Sequence, residues 1–109
     1  MFAVRVVKLC KFLENDGRVS RTLANQLLRS GTSIGANVEE AQAGQSKADF
    51  IAKMSIARKE ARETLYWLRL LASTELIKDT MLDPLKTESN ELVAILTSIV
   101  KTSQTGTNS

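Results

Sequence analysis

Residues 46–72, SKADFIAKMSIARKEARETLYWLRLLA, decide the fold. Their apolar side chains recur every three or four residues for about seven turns, close to the spacing of a coiled coil. The residues of this stripe are Phe50, Met54, Ala57, Ala61, Leu65, Leu68 and Ala72. Ser46 and Asp49 stand in the S-x-x-D spacing of a capping box, so the sequence predicts a long amphipathic helix that begins at Ser46.

Two shorter periodic segments precede this helix. The first carries Phe2, Val6, Leu9 and Leu13 and should end at Asn15-Asp16-Gly17, which has the chemistry of a turn. The second carries Leu23, Leu27, Ile34 and Val38, with Ser20 as its predicted N-cap and an end near Ala43. Gly31 and Gly35 lie inside the second helix, and glycine weakens a helix by about 1 kcal/mol relative to alanine. We therefore expect another helix to pack closely against them.

A fourth helix should begin at Asp83-Pro84, because Asp is a good N-cap and Pro is tolerated at the first helical position. It should run to about Lys101 and bury apolar residues of its second half, namely Leu92, Ile95, Leu96, Ile99 and Val100. The polar, aperiodic segment 102–109 is predicted to be a disordered tail. Four helices with short connections favour an all-α, antiparallel up-down-up-down four-helix bundle over residues 1–101.

The amino-acid composition limits the classes of function that we expect. The 109 residues suit one domain. They include one cysteine, Cys10, and no stretch near the roughly 20 apolar residues that span a bilayer, so we expect a cytoplasmic protein without a membrane partner. No histidine is present. This removes the commonest general base and the Glu-x-x-His pairs of di-iron bundles, so we expect no enzyme, no cofactor and no metal site.

The positive charge is concentrated early in the chain. Residues 1–72 contain 12 Lys and Arg against 7 Asp and Glu, whereas the whole chain carries a formal charge of +3. Such an excess is compatible with an anionic partner.

Two segments resemble a known family. LLRSGTSIGANVEEA at 27–41 and GQSKADFIAKMSIARKEARETLYWL at 44–68 are similar to bacterial four-helix bundle proteins named after intervening sequences in 23S ribosomal RNA genes. The resemblance covers Phe2 to Thr102 and implies an antiparallel bundle that forms rings of five in some members. It also implies a distant relation to the pentameric accessory protein of diversity-generating retroelements, which associates with a reverse transcriptase and nucleic acid. Gly35, where much of the family has Pro, and Glu39-Glu40-Ala41, where it has Ala-Glu-Gly, mark a sub-branch.

A polar flank lies beside the apolar stripe of the second helix, within a sector of about 80°. It comprises Gln26, Arg29, Ser33, Asn37 and Glu40. If helices two and three meet antiparallel, Arg29 lies near Glu60 and Glu63. We interpret these residues as a structural network that fixes helix register or a subunit contact. The alternative is a ligand site.

The third helix carries a second candidate site on its outer side. Arg58, Arg62, Tyr66 and Arg69 recur at spacings of four, four and three, and arginines beside an aromatic ring suit phosphate contact with base stacking. The alternative is a solvated face with Arg–Glu pairs within the helix. Arg5, Lys8 and Lys11 form a weaker basic row on the first helix.

Ile56 and Trp67 widen the apolar arc of the third helix and are candidates for an oligomer interface. The sequence therefore predicts a non-enzymatic homo-oligomer, a pentamer if the family resemblance extends to assembly. We expect it to act as a binding or assembly module for RNA, DNA or a ribonucleoprotein. The alternative function is a structural or protein-docking subunit that binds no nucleic acid.

Overall fold

Four α-helices joined by short turns form an elongated bundle. The computed structural model describes residues 1–44 and 46–106. Its helices are α1 (Phe2–Glu14), α2 (Arg18–Ala43), α3 (Lys47–Thr74) and α4 (Asp79–Gly106), and these ranges contain no strand. Each helix packs against the next, and a smaller contact between α1 and α4 closes the bundle. The predicted all-α, up-down-up-down architecture is confirmed.

Three of the predicted helix boundaries match the structure: the end of α1, the end of α2 at Ala43 and the start of α3. α1 ends at Glu14 with Asn15 as its C-cap, so the predicted turn at Asn15-Asp16-Gly17 is present. At the start of α3, the Ser46 side chain accepts a hydrogen bond from the backbone N–H of Asp49 at 3.1 Å. This is the first half of a capping box, and it satisfies one of the N–H groups that a helix start leaves without an intrahelical partner.

The predicted N-cap of α2 is wrong. The helix begins at Arg18, and the residue before it is Gly17, whose φ of +129° suits glycine alone. Ser20 instead lies inside the first turn, buried, and donates a hydrogen bond to Oδ2 of Asp16 at 3.1 Å. The hydroxyl therefore ties the helix to the preceding turn and does not cap it.

The predicted start of α4 is also wrong. The helix begins at Asp79 and contains Pro84, whereas the sequence placed Asp83 as the N-cap. Leu82 and Leu85, on either side of Pro84, are almost completely buried, and this packing holds the turn helical despite the proline. At the other end α4 continues to Gly106, past the boundary expected at Lys101, while residues 107–109 of the predicted tail lie outside the described residues.

The predicted stripes form the core. On α1 and α3 the residues buried as expected are Phe2, Val6, Leu9, Leu13, Met54, Ala57, Ala61, Leu65 and Leu68. On α4 Leu96 and Val100 are buried, but Ile95 is 54% exposed, contrary to the prediction. Ile95 lies one turn beyond Leu92, which meets the first residues of the short α1. α1 does not extend far enough to cover it.

α1 and α2 pack closely against each other at Gly31. A Cβ atom on Gly31 would lie 2.8 Å from Cγ1 of Val6, whereas a Cβ on Gly35 would have no neighbour within 4 Å. The expected close packing is therefore present at Gly31 and absent at Gly35. Nearby, the Cys10 thiol donates to the carbonyl of Ala24 at 3.3 Å, and burial raises the pKa of this thiol to about 11.

No helix in the described ranges has an apolar stretch long enough to cross a membrane.

Candidate nucleic-acid interface

The outer side of α3 presents a row of three arginines and one tyrosine, which we call the α3 row: Arg58, Arg62, Tyr66 and Arg69. Arg62 and Arg69 are exposed, Tyr66 is 55% exposed, and Arg58 is half-buried. The row lies along one face of the helix, where a rise of 1.5 Å per residue separates Arg62 from Arg69 by about 10 Å. The α3 row is thus a continuous, accessible strip.

The arginines of the α3 row have no carboxylate partner among residues 1–44 and 46–106. The nearest acidic residues on the same helix, Glu60 and Glu63, contact Arg29 of α2 instead. On the α1 side of the bundle, Arg5 pairs with Glu88 of α4. The arginines of the α3 row therefore keep their full charge for an external anion.

The polar flank of α2 contains one network that reaches α3. Nη1 of Arg29 donates to Oε2 of Glu60 at 3.1 Å, and its Nη2 donates to Oε2 of Glu63. Glu60 is 9% exposed, so its pairing offsets the cost of burying a carboxylate. The register predicted from the sequence brings these three residues together.

The other residues of the flank do not join this network. The Ser33 hydroxyl donates to the carbonyl of Arg29 at 2.6 Å, and the Asn37 amide donates to the carbonyl of Ser33 at 2.8 Å. These bonds stay within α2. Glu40 is exposed and forms no ion pair in the described part of the chain.

Trp67 connects the polar flank to the α3 row, a link that sequence reasoning missed. Its indole N–H donates to Oε2 of Glu63 at 3.0 Å. Its ring contacts the Tyr66 ring with centroids 5.0 Å apart and planes at 71°, an edge-to-face arrangement. The spacing of Glu63 and Trp67, one helical turn apart, was the available signal. Ile56, the other interface candidate, is 40% exposed.

Among the described residues, no group of three His, Cys, Asp or Glu side chains is placed to hold a metal ion. What the site offers chemically is cationic hydrogen-bond donors beside one accessible aromatic ring. Such a surface can bind a phosphate-containing polymer.

Comparisons with known proteins agree on one family. The family described as 23S rRNA-intervening sequence protein matches residues 1–98. A crystal structure at 1.70 Å from Bacteroides thetaiotaomicron VPI-5482, of a protein with unknown function from the S23 ribosomal protein family, superimposes with a TM-score of 0.85. It shares 51% sequence identity over 92% of each chain. No curated protein matches the sequence. The resemblance carried by residues 27–41 and 44–68 is confirmed.

Proposed function

Because this chain belongs to the 23S rRNA-intervening sequence protein family, we propose that it is a non-enzymatic, homo-oligomeric bundle that binds nucleic acid through the α3 row. The observation that carries the proposal is the set of three arginines without carboxylate partners beside an exposed tyrosine. Arginine forms paired hydrogen bonds to phosphate, and an aromatic ring stacks on bases. A cytoplasmic location would give such a surface access to RNA and DNA.

Assembly would strengthen weak contacts. If several copies form a closed ring, the α3 row repeats around it, and one nucleic-acid chain can contact several rows at once. The second contact then profits from a high effective concentration, so a row that binds poorly in one subunit binds usefully in the oligomer.

Replacing Arg58, Arg62 and Arg69 with Gln is the test of this proposal. We expect at least a roughly tenfold loss of affinity for a labelled mixed-sequence RNA or DNA, and a shallower dependence of affinity on salt, because phosphate contacts release counterions. Fluorescence anisotropy at several salt concentrations measures both quantities. Circular dichroism and native mass should stay unchanged, because the substituted side chains make no ion pair in the described residues.

A matched control removes the same number of charges elsewhere. Arg18, Arg21 and Lys101 are exposed on α2 and α4, and changing all three to Gln lowers the formal charge of +3 by the same amount. We expect this variant to retain most of its affinity. Equal losses in both variants would indicate a non-specific effect of net charge, and unchanged binding by the α3 variant would exclude the row as the interface.

Homo-oligomerisation is supported by exposed apolar side chains. Ile56 is 40% exposed on the same face of α3 as Trp67, about three turns away, and Val4 and Leu28 on the α1–α2 side are 47% and 37% exposed. Apolar residues of this kind are enriched in the buried centres of homo-oligomer interfaces. Native mass spectrometry at micromolar concentration should therefore give a multiple of the 12.0 kDa chain mass.

The choice of interface can be tested with Ile56→Glu, which should dissociate the oligomer because a charge in a desolvated interface is costly. Thr87→Glu, at an exposed polar position on α4, is the control and should leave the mass unchanged. A wild-type protein that is only monomeric would contradict the assembly proposal.

A second candidate function is docking of a partner helix without nucleic acid. Phe12 and Met81 are 56% and 49% exposed and line the same groove between α1 and α4, beside Lys8. Such an apolar groove suits the apolar face of an amphipathic helix. Absence of nucleic-acid binding by the wild-type protein at low salt would favour this function.

A further inference from the structure

Tyr66 is an exposed aromatic residue whose ring contacts a second, half-buried aromatic ring. Its ring lies edge to face with that of Trp67, Trp67 donates to Glu63, and Glu63 accepts a hydrogen bond from Arg29 of the neighbouring helix. Trp67 also packs against the hydrophobic core. A ring supported in this way loses little freedom when a ligand stacks on it, so binding costs less entropy.

Two arginines flank this ring along the helix. Arg62 precedes Tyr66 by one turn and Arg69 follows by just under one turn, which places them about 6 Å and about 4.5 Å along the axis on either side. Along the helix, Tyr66 therefore lies between two hydrogen-bond donors suited to phosphate.

A single strand fits this arrangement better than a duplex. In a duplex the faces of the bases are covered by their stacked neighbours, and a protein meets phosphates and base edges. In a single strand the bases can turn outward and stack on aromatic side chains while the backbone contacts basic residues. Duplex binding would use the arginines, but it would leave the exposed Tyr66 ring without a base to stack on.

We infer that the α3 row is specific for single-stranded nucleic acid, with one base stacked on Tyr66, neighbouring phosphates on Arg62 and Arg69, and Trp67 as a positioning residue. This inference depends on the proposed function and narrows its substrate class.

The experiment compares a fluorescein-labelled 20-nucleotide oligouridine with a mixed-sequence RNA duplex of the same length, by anisotropy at low salt. The single strand should bind at least tenfold more tightly. Tyr66→Leu should weaken single-strand binding by roughly 5- to 150-fold, the range measured for loss of one stacked base, and should leave duplex binding unchanged. Tyr66→Phe keeps the ring and should retain the affinity.

Intrinsic fluorescence gives an independent readout of the same site. Tyr66 and Trp67 are the only tyrosine and the only tryptophan, so their emission comes from this position alone. The oligouridine should change the Trp67 emission excited at 295 nm, and a stacked base should reduce energy transfer from Tyr66 to Trp67. Phe12→Leu, a substitution at a 56% exposed aromatic residue on α1, is the matched control and should leave single-strand binding unchanged.

Trp67→Phe tests the positioning role. It keeps an aromatic ring beside Tyr66 but removes the hydrogen bond to Glu63, so we expect a smaller loss of single-strand affinity than with Tyr66→Leu and no loss of duplex affinity. Equal affinities for single strand and duplex, or full binding by Tyr66→Leu, would overturn the inference and leave binding through the arginines intact. Failure of the wild-type protein to bind either polymer would instead overturn the proposed function.

Discussion

Leu68→Ala is expected to lower the free energy of unfolding by about 2 to 5 kcal/mol, the usual range for truncating a fully buried leucine. Leu68 is 0% exposed, and it belongs to the core stripe of α3, the helix that packs against both α2 and α4. The truncated side chain leaves a cavity that helices packed on two sides cannot fully close. Urea unfolding followed by circular dichroism measures the loss.

Leu70→Ala is the matched control for this experiment. Leu70 is on the same helix but only half-buried, and it is not part of the core cluster. Because part of this side chain faces solvent and it does not pack into the core cluster, its truncation should cost less than about 1 kcal/mol. Similar unfolding midpoints for the two variants would show that the centre of the core lies elsewhere.

Gly31→Val should destabilise the bundle by about 1 to 3 kcal/mol through overpacking. A Cβ atom at this position would lie 2.8 Å from Cγ1 and 3.2 Å from Cγ2 of Val6, and a valine would add two methyl groups to the same space. Val6 cannot easily turn away, because a β-branched side chain in a helix has one strongly preferred rotamer. α1 would have to move off α2, which thermal or urea unfolding would detect.

Gly35→Val separates this steric effect from helix propensity. A Cβ there meets nothing within 4 Å, so the substitution should be neutral or slightly stabilising. Val6→Ala should also relieve part of the cost of Gly31→Val. In a double-mutant cycle, the double variant should therefore lose less stability than the sum of the two single variants. A Gly31→Val protein as stable as Gly35→Val would refute the close approach of α1 and α2.

Most of the fold was predictable because local and global signals agree along α3. The apolar stripe and the Ser46 cap point to the same helix, and five of the seven stripe residues are buried, whereas Phe50 and Ala72 are half-buried. Where signals conflicted, tertiary packing decided the outcome. Asp83-Pro84 has the chemistry of a helix start, but burial of Leu82 and Leu85 extends α4 backward past the proline.

The error at Ile95 has a different origin. Its position satisfies the helical period of α4, yet a periodic pattern cannot reveal how far a neighbouring helix extends. α1 has 13 residues against 28 in α4, so part of the apolar face of α4 has no helix above it. Burial of such a residue depends on the length of the neighbouring helix, which is not encoded in the residue's own segment.

The candidate site was predictable in its parts and not in its connections. Antiparallel register sufficed to bring Arg29 to Glu60 and Glu63. Helical spacing placed Tyr66 with the arginines and Trp67 on the opposite flank. The ring contact between these adjacent residues depends on side-chain rotamers, which helix geometry alone does not fix.

The buried thiol of Cys10 has a practical consequence for labelling. Thiol reagents attack the thiolate, and a pKa near 11 keeps this group protonated at neutral pH, while its 5% exposure limits access. Cys10 is the only cysteine in the chain. A cysteine introduced at an exposed position, such as Ser73 on α3, would therefore carry a maleimide dye selectively, and Cys10 could keep its place in the core.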